Sequence, residues 1–335
     1  MSPEAGGGMR RFAVVLNRNA KKVTKEVAEM SGELVPPEDL FLSASAEDSQ
    51  EIARTIIGRG YETVFAGGGD GTVMHLINQL ARYPLEKQPA VGILMLGTGN
   101  AMARMVSSGN LKGDLTPYIR SATREVVPIS LVETEGTLCP FAGIGLDAEI
   151  LNDYRITKEK LGGGKMKPVV QTLAGYFLAI FTRTLPARTV KAFKGQIPMV
   201  RAVVRRGEAV KLGPEGQVLR THGPGDLLYE GPMTIALAGT VPYYGYGFRI
   251  LPFATREPGK MNLRIGHMMA ASILAQLPLI WKGEQPGGIQ DWLVEEVEPP
   301  TDVEVPFQIG GDAHGYRRSV VFSTIPNAVR LLRLL

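Results

Sequence analysis

Apolar residues in the first third of the chain alternate between two spacings. Phe12 to Leu16 (FAVVL), Thr63 to Ala66 (TVFA) and Val91 to Leu96 (VGILML) are short runs without polar alternation, as in strands buried on both faces. Between the last two, Val73, Leu76, Ile77, Leu80 and Ala81 fall at i, i+3, i+4, i+7 and i+8, which predicts a helix. Ile52, Ala53, Ile56 and Ile57 predict another, with Ser45 and Asp48 spaced as a capping box at its start and Gly58 and Gly60 at its end. A helix over about 20–30 and a short strand at Leu40 to Leu42 complete the order βαβαβα within the first 125 residues. That order implies a parallel, Rossmann-like sheet covered by helices.

From Val126 the rhythm changes to short strands and turns: VVPISLVET, TLCPFAGIG, MVRAVVRRGEAV, MTIALAGTV and MNLRIG. A mainly antiparallel, β-rich second domain is expected there. Residues 206–232 are rich in glycine and polar groups and read as a long exposed hairpin or insertion, with His222 on the surface. Two apolar segments interrupt the strands, Val169 to Phe181 and Met268 to Trp281. Each has the length of a core helix and is too short to span a bilayer. They are expected to cover the second sheet, to wall an acyl-chain cleft, or to rest on a membrane with Trp281 and Lys282 near the headgroups.

The chemistry concentrates where strand meets helix. Thr63 to Leu80 reads strand, glycine turn, helix, with Gly67, Gly68 and Gly69 followed by Asp70, Gly71 and Thr72. Glycines allow close approach of a ligand to the backbone, and the free N–H groups of a helix start favour an anion such as phosphate. Asp70 would repel a bare phosphate, so its carboxylate suits a bound Mg²⁺ or a hydroxyl that must lose a proton. A second turn, Gly97-Thr98-Gly99-Asn100, follows the next strand. Two such turns at adjacent strand ends fit one nucleotide site.

GGGDGT at Gly67 to Thr72, LGTGNAMAR at Leu96 to Arg104, FAGIGLDAEI at Phe141 to Ile150 and PFQIGGDAHG at Pro306 to Gly315 occur in the order seen in the diacylglycerol kinase catalytic-domain family. The chain resembles that family, which includes bacterial soluble lipid kinases and the sphingosine and ceramide kinases, over nearly its whole length. The resemblance implies an α/β nucleotide-binding domain of the NAD kinase and diacylglycerol kinase type at 9–127 and about 318–335, and a β-rich lipid-substrate domain at 128–317. It implies ATP held by Asn17, Gly68, Gly69, Gly71, Thr72, Gly97, Thr98 and Asn100, and Mg²⁺ near Asp70 and Asp147. Family members commonly carry Asp-Gly-Glu where this chain has Gly310, Gly311 and Asp312, so Asp312 is the aligned catalytic base, one methylene shorter, with Asp70 as the substitute. Asn100-Ala101 looks more like the sphingosine and ceramide kinase branch than like the Asn-Asp of many bacterial relatives, and His75 stands where glutamate is common. Phe253, Glu257 and Pro258 replace acidic residues of a second, structural Mg²⁺ site found in some members, and no such metal is expected.

Composition narrows the setting. Apolar content of 44% and charged content of 21% are ordinary for a globular chain. Lys and Arg number 37 against 33 for Asp and Glu, without long charge runs, which does not indicate nucleic acid and is compatible with an anionic nucleotide or membrane surface. A single cysteine, Cys139, excludes an internal disulfide framework, favours a reducing cytoplasm and is expected to pack in a core. MSPEAGGG lacks the apolar centre of a signal peptide. The expectation is a cytoplasmic, peripherally membrane-associated, ATP- and Mg²⁺-dependent lipid kinase of phospholipid metabolism, acting on a diacylglycerol-like or sphingoid lipid. A homodimer stays open. The alternatives are an NAD kinase-like enzyme, which shares the GGDGT turn, and a catalytically weak nucleotide- or lipid-binding regulator of the same fold.

Overall fold

The computed structural model describes residues 11–20, 23, 25–96, 101–106, 124–161, 175 and 178–334. The chain forms two compact units, one made of the residues up to Ile129 together with those from Asn327, the other of Ser130–Pro326.

In the first unit, β1 (Phe12–Asn17), β2 (Leu40–Ser43), β3 (Thr63–Gly68) and β4 (Ala90–Met95) alternate with α1 (Lys25–Leu34), α2 (Ala46–Arg59), α3 (Asp70–Leu80) and the short α4 (Ala101–Met105). The strands are parallel in the order β4-β3-β1-β2, with Val14 opposite Leu40, Phe12 opposite Thr63 and Thr63 opposite Ala90. Every residue of β3 is buried, as the unbroken apolar run required. Val14, Leu16, Phe65, Leu94 and Leu96 form the core. The box at the start of α2 is complete: Ser45 Oγ accepts from Asp48 N, and Asp48 Oδ2 accepts from Ser45 N, both at 3.1 Å. Gly60, at φ 66°, closes the helix in the left-handed region where a side chain would be strained. The first helix starts later than expected, at Lys25.

This strand order reverses direction at one place. The chain leaves β1 for β2 on one side and returns to β3 on the other, so the crevice at the carboxyl ends of β1 and β3 is a topological switch point.

The second unit is antiparallel. β7 (Phe141–Gly145), β9 (Ala209–Leu212), β10 (Val218–His222), β12 (Ile235–Gly239), β13 (Met261–Gly266), β14 (Ile289–Val294), β16 (Val305–Ile309) and β17 (Asp312–Arg317) form a sheet ordered β10-β9-β14-β13-β12-β7-β16-β17. β8 (Met199–Arg206), β11 (Leu227–Pro232), β15 (Glu296–Glu298) and the first residues of β18 (Phe322–Leu334) pair as β11-β8-β15-β18. Val204, Val297 and Phe322 from this group meet Ile144, Ala236, Leu263, Trp292 and Phe307 from the larger sheet in one core. β5 (Arg124–Thr134) pairs with β6 (Thr137–Cys139), and Cys139 is buried in that core. The end of β18 lies in the first unit, where Leu331 pairs with Val91 in parallel.

Two expectations need correction. Residues 206–232 do contain a hairpin, β9–β10, with β10 largely exposed, but it extends the larger sheet through β14 rather than standing apart as an insertion, and β11 is bonded along β8. Polar outward positions on edge strands gave that stretch its loop-like composition. His222, expected on the surface, is only 7% exposed, because its strand pairs it with buried Ala209.

The helices of this unit are α5 (Leu146–Leu161), α6 (Leu185–Phe193) and α7 (Ala270–Lys282), with a π-helical turn at Ile180–Thr184 leading into α6. Most of the first apolar segment, 169–174 and 176–177, lies outside the described residues, and the helical path continues past Phe181 to Phe193. α7 lies where the second segment predicted it. Ile273 and Ile280 pack against Leu237, Leu251 and Met268 on the outer face of the sheet. Among the described residues no helix is long and apolar enough to cross a membrane.

Candidate active site

In the first unit, several of the expected nucleotide ligands meet at the switch point. Asn17 ends β1, and Gly67 and Gly68 end β3. Gly69 is the extended N-cap of α3, which starts at Asp70. Asn17 Nδ2 donates to Thr72 Oγ1 at 2.8 Å, while Asn17 Oδ1 accepts from the Asn19 N–H at 2.8 Å. The asparagine is thus held at both ends and fixes a threonine in the first turn of α3. The first N–H groups of that turn have no intrahelical acceptor.

The glycines differ in their reasons. A Cβ at Gly68 would lie 2.5 Å from Thr72 Oγ1, so this glycine makes room for the Asn17–Thr72 bond. A Cβ at Gly67 would lie 2.4 Å from Leu16 Cδ2, a packing reason. Gly71 is exposed, and among the described residues no atom outside its chain neighbours and own helix lies within 4 Å of its missing Cβ, so no described side chain asks for a glycine there. Asp70 Oδ1 accepts from the backbone N–H of Met102 at 3.3 Å, which ties the start of α3 to the start of α4. Gly97, Thr98 and Asn100 lie outside the described residues.

In the second unit Asp147 sits in the first turn of α5, 9% exposed. Its Oδ2 accepts from Gln308 Nε2 at 2.9 Å and from Tyr244 Oη at 3.2 Å. Its Oδ1 is buried without a hydrogen-bond partner among the described residues. Burial pushes the Asp147 carboxyl up against the lowering effect of the Gln308 and Tyr244 hydrogen bonds. Burial, reinforced by the Asp147 charge, likewise raises the Tyr244 phenol well above its ordinary range. Tyr244 is stacked on Phe141 with ring centroids 4.0 Å apart. A Cβ at Gly143 would fall 2.7 Å from Asp147 Oδ2, which explains a glycine in that strand.

Gln308 also reaches the hairpin that carries Asp312. Its Oε1 accepts from the Gly311 N–H at 2.8 Å. Ile309 pairs with Asp312 across a two-residue turn whose members, Gly310 and Gly311, have φ of 60° and 93°. Those angles are those of a type I′ turn, which accepts Asp-Gly as well as Gly-Gly, so the backbone accommodates Gly310 without requiring it in place of the relatives' aspartate. Asp312 is exposed at the first position of β17. One side chain therefore joins the buried carboxylate to the turn beside the exposed one. Among the described residues no group of three or more His, Cys, Asp or Glu side chains gathers to hold a metal.

Sequence reading missed Gln308 and Tyr244. Gln308 had a signal: it is the one polar side chain within the otherwise apolar strand VPFQI, and it is 1% exposed. Tyr244 lies in an aromatic run, VPYYGYGFRI, with no pattern that singles it out.

The chain thus carries a parallel α/β unit with a glycine turn at its switch point and an antiparallel unit with one buried and one exposed carboxylate. The family model of the diacylglycerol kinase catalytic domain matches residues 11–132, and over that segment the chain is similar to this family; together with the relatives this supports a kinase, a phosphotransferase with an alcohol acceptor. Proteins of Yersinia pestis (strain Pestoides F) and Yersinia pseudotuberculosis serotype O:1b (strain IP 31758), each named "Probable lipid kinase YegS-like", are 24% identical over 270 residues, 80% of this chain and 77% of each relative. Two solved structures from Bacillus anthracis strain Sterne share the fold. One, described as a diacylglycerol kinase, is 16% identical and covers 96% of each chain with a TM-score of 0.61. The other, provisionally described in the same way, is 18% identical and covers 99% of this chain and 97% of its own with a TM-score of 0.67.

Proposed function

We propose that the protein is an ATP- and Mg²⁺-dependent lipid kinase that phosphorylates a hydroxyl of a diacylglycerol-like or sphingoid lipid, in the cytoplasm and at a membrane surface. The observation that carries the reading is the Asn17–Thr72 hydrogen bond beside Gly68 and the open Gly71, at the β1/β3 switch point. Gly68, Gly69, Gly71 and Thr72 hold the phosphates of ATP against the start of α3, with Asn17 beside the nucleotide and Gly97, Thr98 and Asn100 as the further ligands that the LGTGN motif implies.

Asp147 fits a cation. A buried carboxylate with one oxygen lacking a partner among the described residues, and which burial drives toward its neutral form, regains its charge when a positive ion compensates it. Oxygen donors of this kind suit Mg²⁺, which keeps several waters and needs only one or two carboxylates; Asp147 in the second unit and Asp70 in the first are each a candidate ligand. When bound, the ion supplies charge neutralisation on the β and γ oxygens. The protein's own groups do the rest. The helix start and glycines orient the phosphates, and Asp312 takes the proton of the lipid hydroxyl. That oxygen bonds to the γ phosphorus as the bond to the β–γ bridging oxygen breaks, and ADP leaves.

The test is transfer of γ-phosphate from labelled ATP, with Mg²⁺, to mixed micelles of diacylglycerol, phosphatidylglycerol, sphingosine, ceramide or prenol, with NAD as a further acceptor. A labelled lipid that disappears with Asp70→Ala is the expected result. Loss with Asp312→Ala assigns the base to Asp312, and retained turnover in that variant moves it to Asp70. Labelled NAD without labelled lipid, or nucleotide binding without any transfer, overturns the proposal.

A further inference from the structure

The second unit exposes an apolar face that the site does not use. α7 (AASILAQLPLIWK) has no buried residue along its 13 positions, although only Ser272, Gln276 and Lys282 in it are polar. Ile273 and Ile280 use one side of it on the sheet, and Trp281 stacks on Phe248 at 4.9 Å. Leu274 and Leu279 are left 39% exposed, and Met269, its N-cap, 68%. Beside it runs α6, where Val190 is 52% and Phe193 89% exposed. Isolated exposed leucines need no explanation, but apolar side chains gathered on two neighbouring helices do.

Charge names what covers this face. Residues 178–199 contain Arg183, Arg188, Lys191 and Lys194 and no acidic residue, and residues 267–283 contain Lys282 and no acidic residue. Arg183 is paired with Asp153, and Arg188 and Lys191 with Glu149. Lys194 and Lys282 make no ion pair among the described residues. Exposed apolar side chains rimmed by unpaired lysines, without carboxylates on the same helices, match an anionic bilayer, whose acyl boundary takes the former and whose headgroups take the latter. A protein partner would have to supply its own acidic rim, whereas an anionic leaflet supplies both at once.

We propose that the α6–α7 face, centred on Val190, Phe193 and Lys194, docks the second unit onto an anionic lipid bilayer. This deepens the lipid-kinase reading by naming the surface, and it can fail separately from it. A cation at an anionic leaflet strengthens binding roughly fivefold. Reversing Lys194 therefore weakens it about twenty-fivefold, and the loss diminishes in high salt as the charges are screened.

The experiment is co-sedimentation of the full chain with vesicles of phosphatidylcholine alone and with one third phosphatidylglycerol. Val190→Ser/Phe193→Ser and Lys194→Glu are compared with the native chain, and phosphorylation of a short-chain lipid kept below its micellar concentration is measured in parallel. All three substituted residues are on the surface, so folding is expected to be intact, and matching thermal melts check this. The expected result is native binding that prefers the anionic vesicles, at least tenfold loss in each variant, and unchanged turnover of the monomeric lipid. Native-like vesicle binding by both variants overturns the surface. So does a native chain that phosphorylates the short-chain lipid and ignores vesicles, which leaves the kinase reading standing. Vesicle binding that the variants abolish, with no lipid phosphorylated by any of them, upholds the surface and removes the lipid-kinase reading.

Discussion

Gly71→Ala separates what the fold needs from what a ligand needs. Among the described residues, no atom beyond its chain neighbours and its own helix backbone lies within 4 Å of the added Cβ. The position is in the first turn of α3, where alanine is favoured over glycine by up to about 1 kcal/mol. The ligand-free protein should therefore hold its stability or gain a few degrees in unfolding midpoint. If the nucleotide phosphates lie against this turn, the same methyl intrudes into their space. Inserting a methyl into a fitted contact costs about 1–3 kcal/mol, which is roughly a 5- to 150-fold loss of affinity. Gly68→Ala provides the contrast: its Cβ would lie 2.5 Å from Thr72 Oγ1 and 2.6 Å from Thr72 Cβ. Thr72 has to move off Asn17, so this variant loses both stability, by about 1–3 kcal/mol, and nucleotide affinity. The assay is paired thermal denaturation without ligand and equilibrium binding of a non-hydrolysable ATP analogue. A Gly71→Ala protein that binds the analogue as tightly as the native one refutes the phosphate cradle, whatever its midpoint does.

Other consequences can be checked on the same preparations. Gln308→Leu leaves Asp147 Oδ2 with one donor fewer and the Gly311 N–H without its acceptor, and urea unfolding should register a loss of about 1–3 kcal/mol. Burial lowers the His222 pKa below its ordinary 6.5, with nearby Arg220 as a smaller cause. The unfolded chain therefore takes up a proton more readily, and the stability from this group is lost as pH falls below about 6.5 toward the lower folded value. Melting curves between pH 7.5 and 5.5 should show a slope that His222→Asn reduces, and an unchanged slope would rule His222 out as its source. Burial also pushes the Cys139 thiol far above its ordinary range, so a thiol reagent at pH 8 should label the native protein only at the rate of unfolding and label the denatured protein at once.

Legibility in the sequence followed the range of the interactions. The strand, glycine turn and helix of Thr63 to Leu80 are set by neighbours a few residues apart, and the structure has β3, the Gly69 N-cap and α3 where the spacing puts them. The Ser45–Asp48 box is equally local and is present atom for atom. His222 and residues 206–232 were misread because their burial depends on strand pairings, β10 with β9, β11 with β8 and β9 with β14, which local composition does not name. The Asp147–Tyr244–Gln308 group joins residues as many as 161 positions apart, so periodicity could find its members only as oddities within strands and turns. Gly310 looked like a lost carboxylate in sequence and is a left-handed turn position in space.

The Gln308 amide is a key that fits one way. Its N–H side faces an oxygen of Asp147 and its oxygen faces the Gly311 N–H, so a half-turn of the amide would set oxygen against oxygen and hydrogen against hydrogen. A slip of one residue along β16 would be worse, since it would swing Gln308 to the opposite face and drive Phe307 or Ile309 toward the carboxylate. The hairpin that presents Asp312 is thereby proofread by a neutral side chain, and a misregistered strand announces itself as a buried carboxyl short of one donor before any substrate arrives.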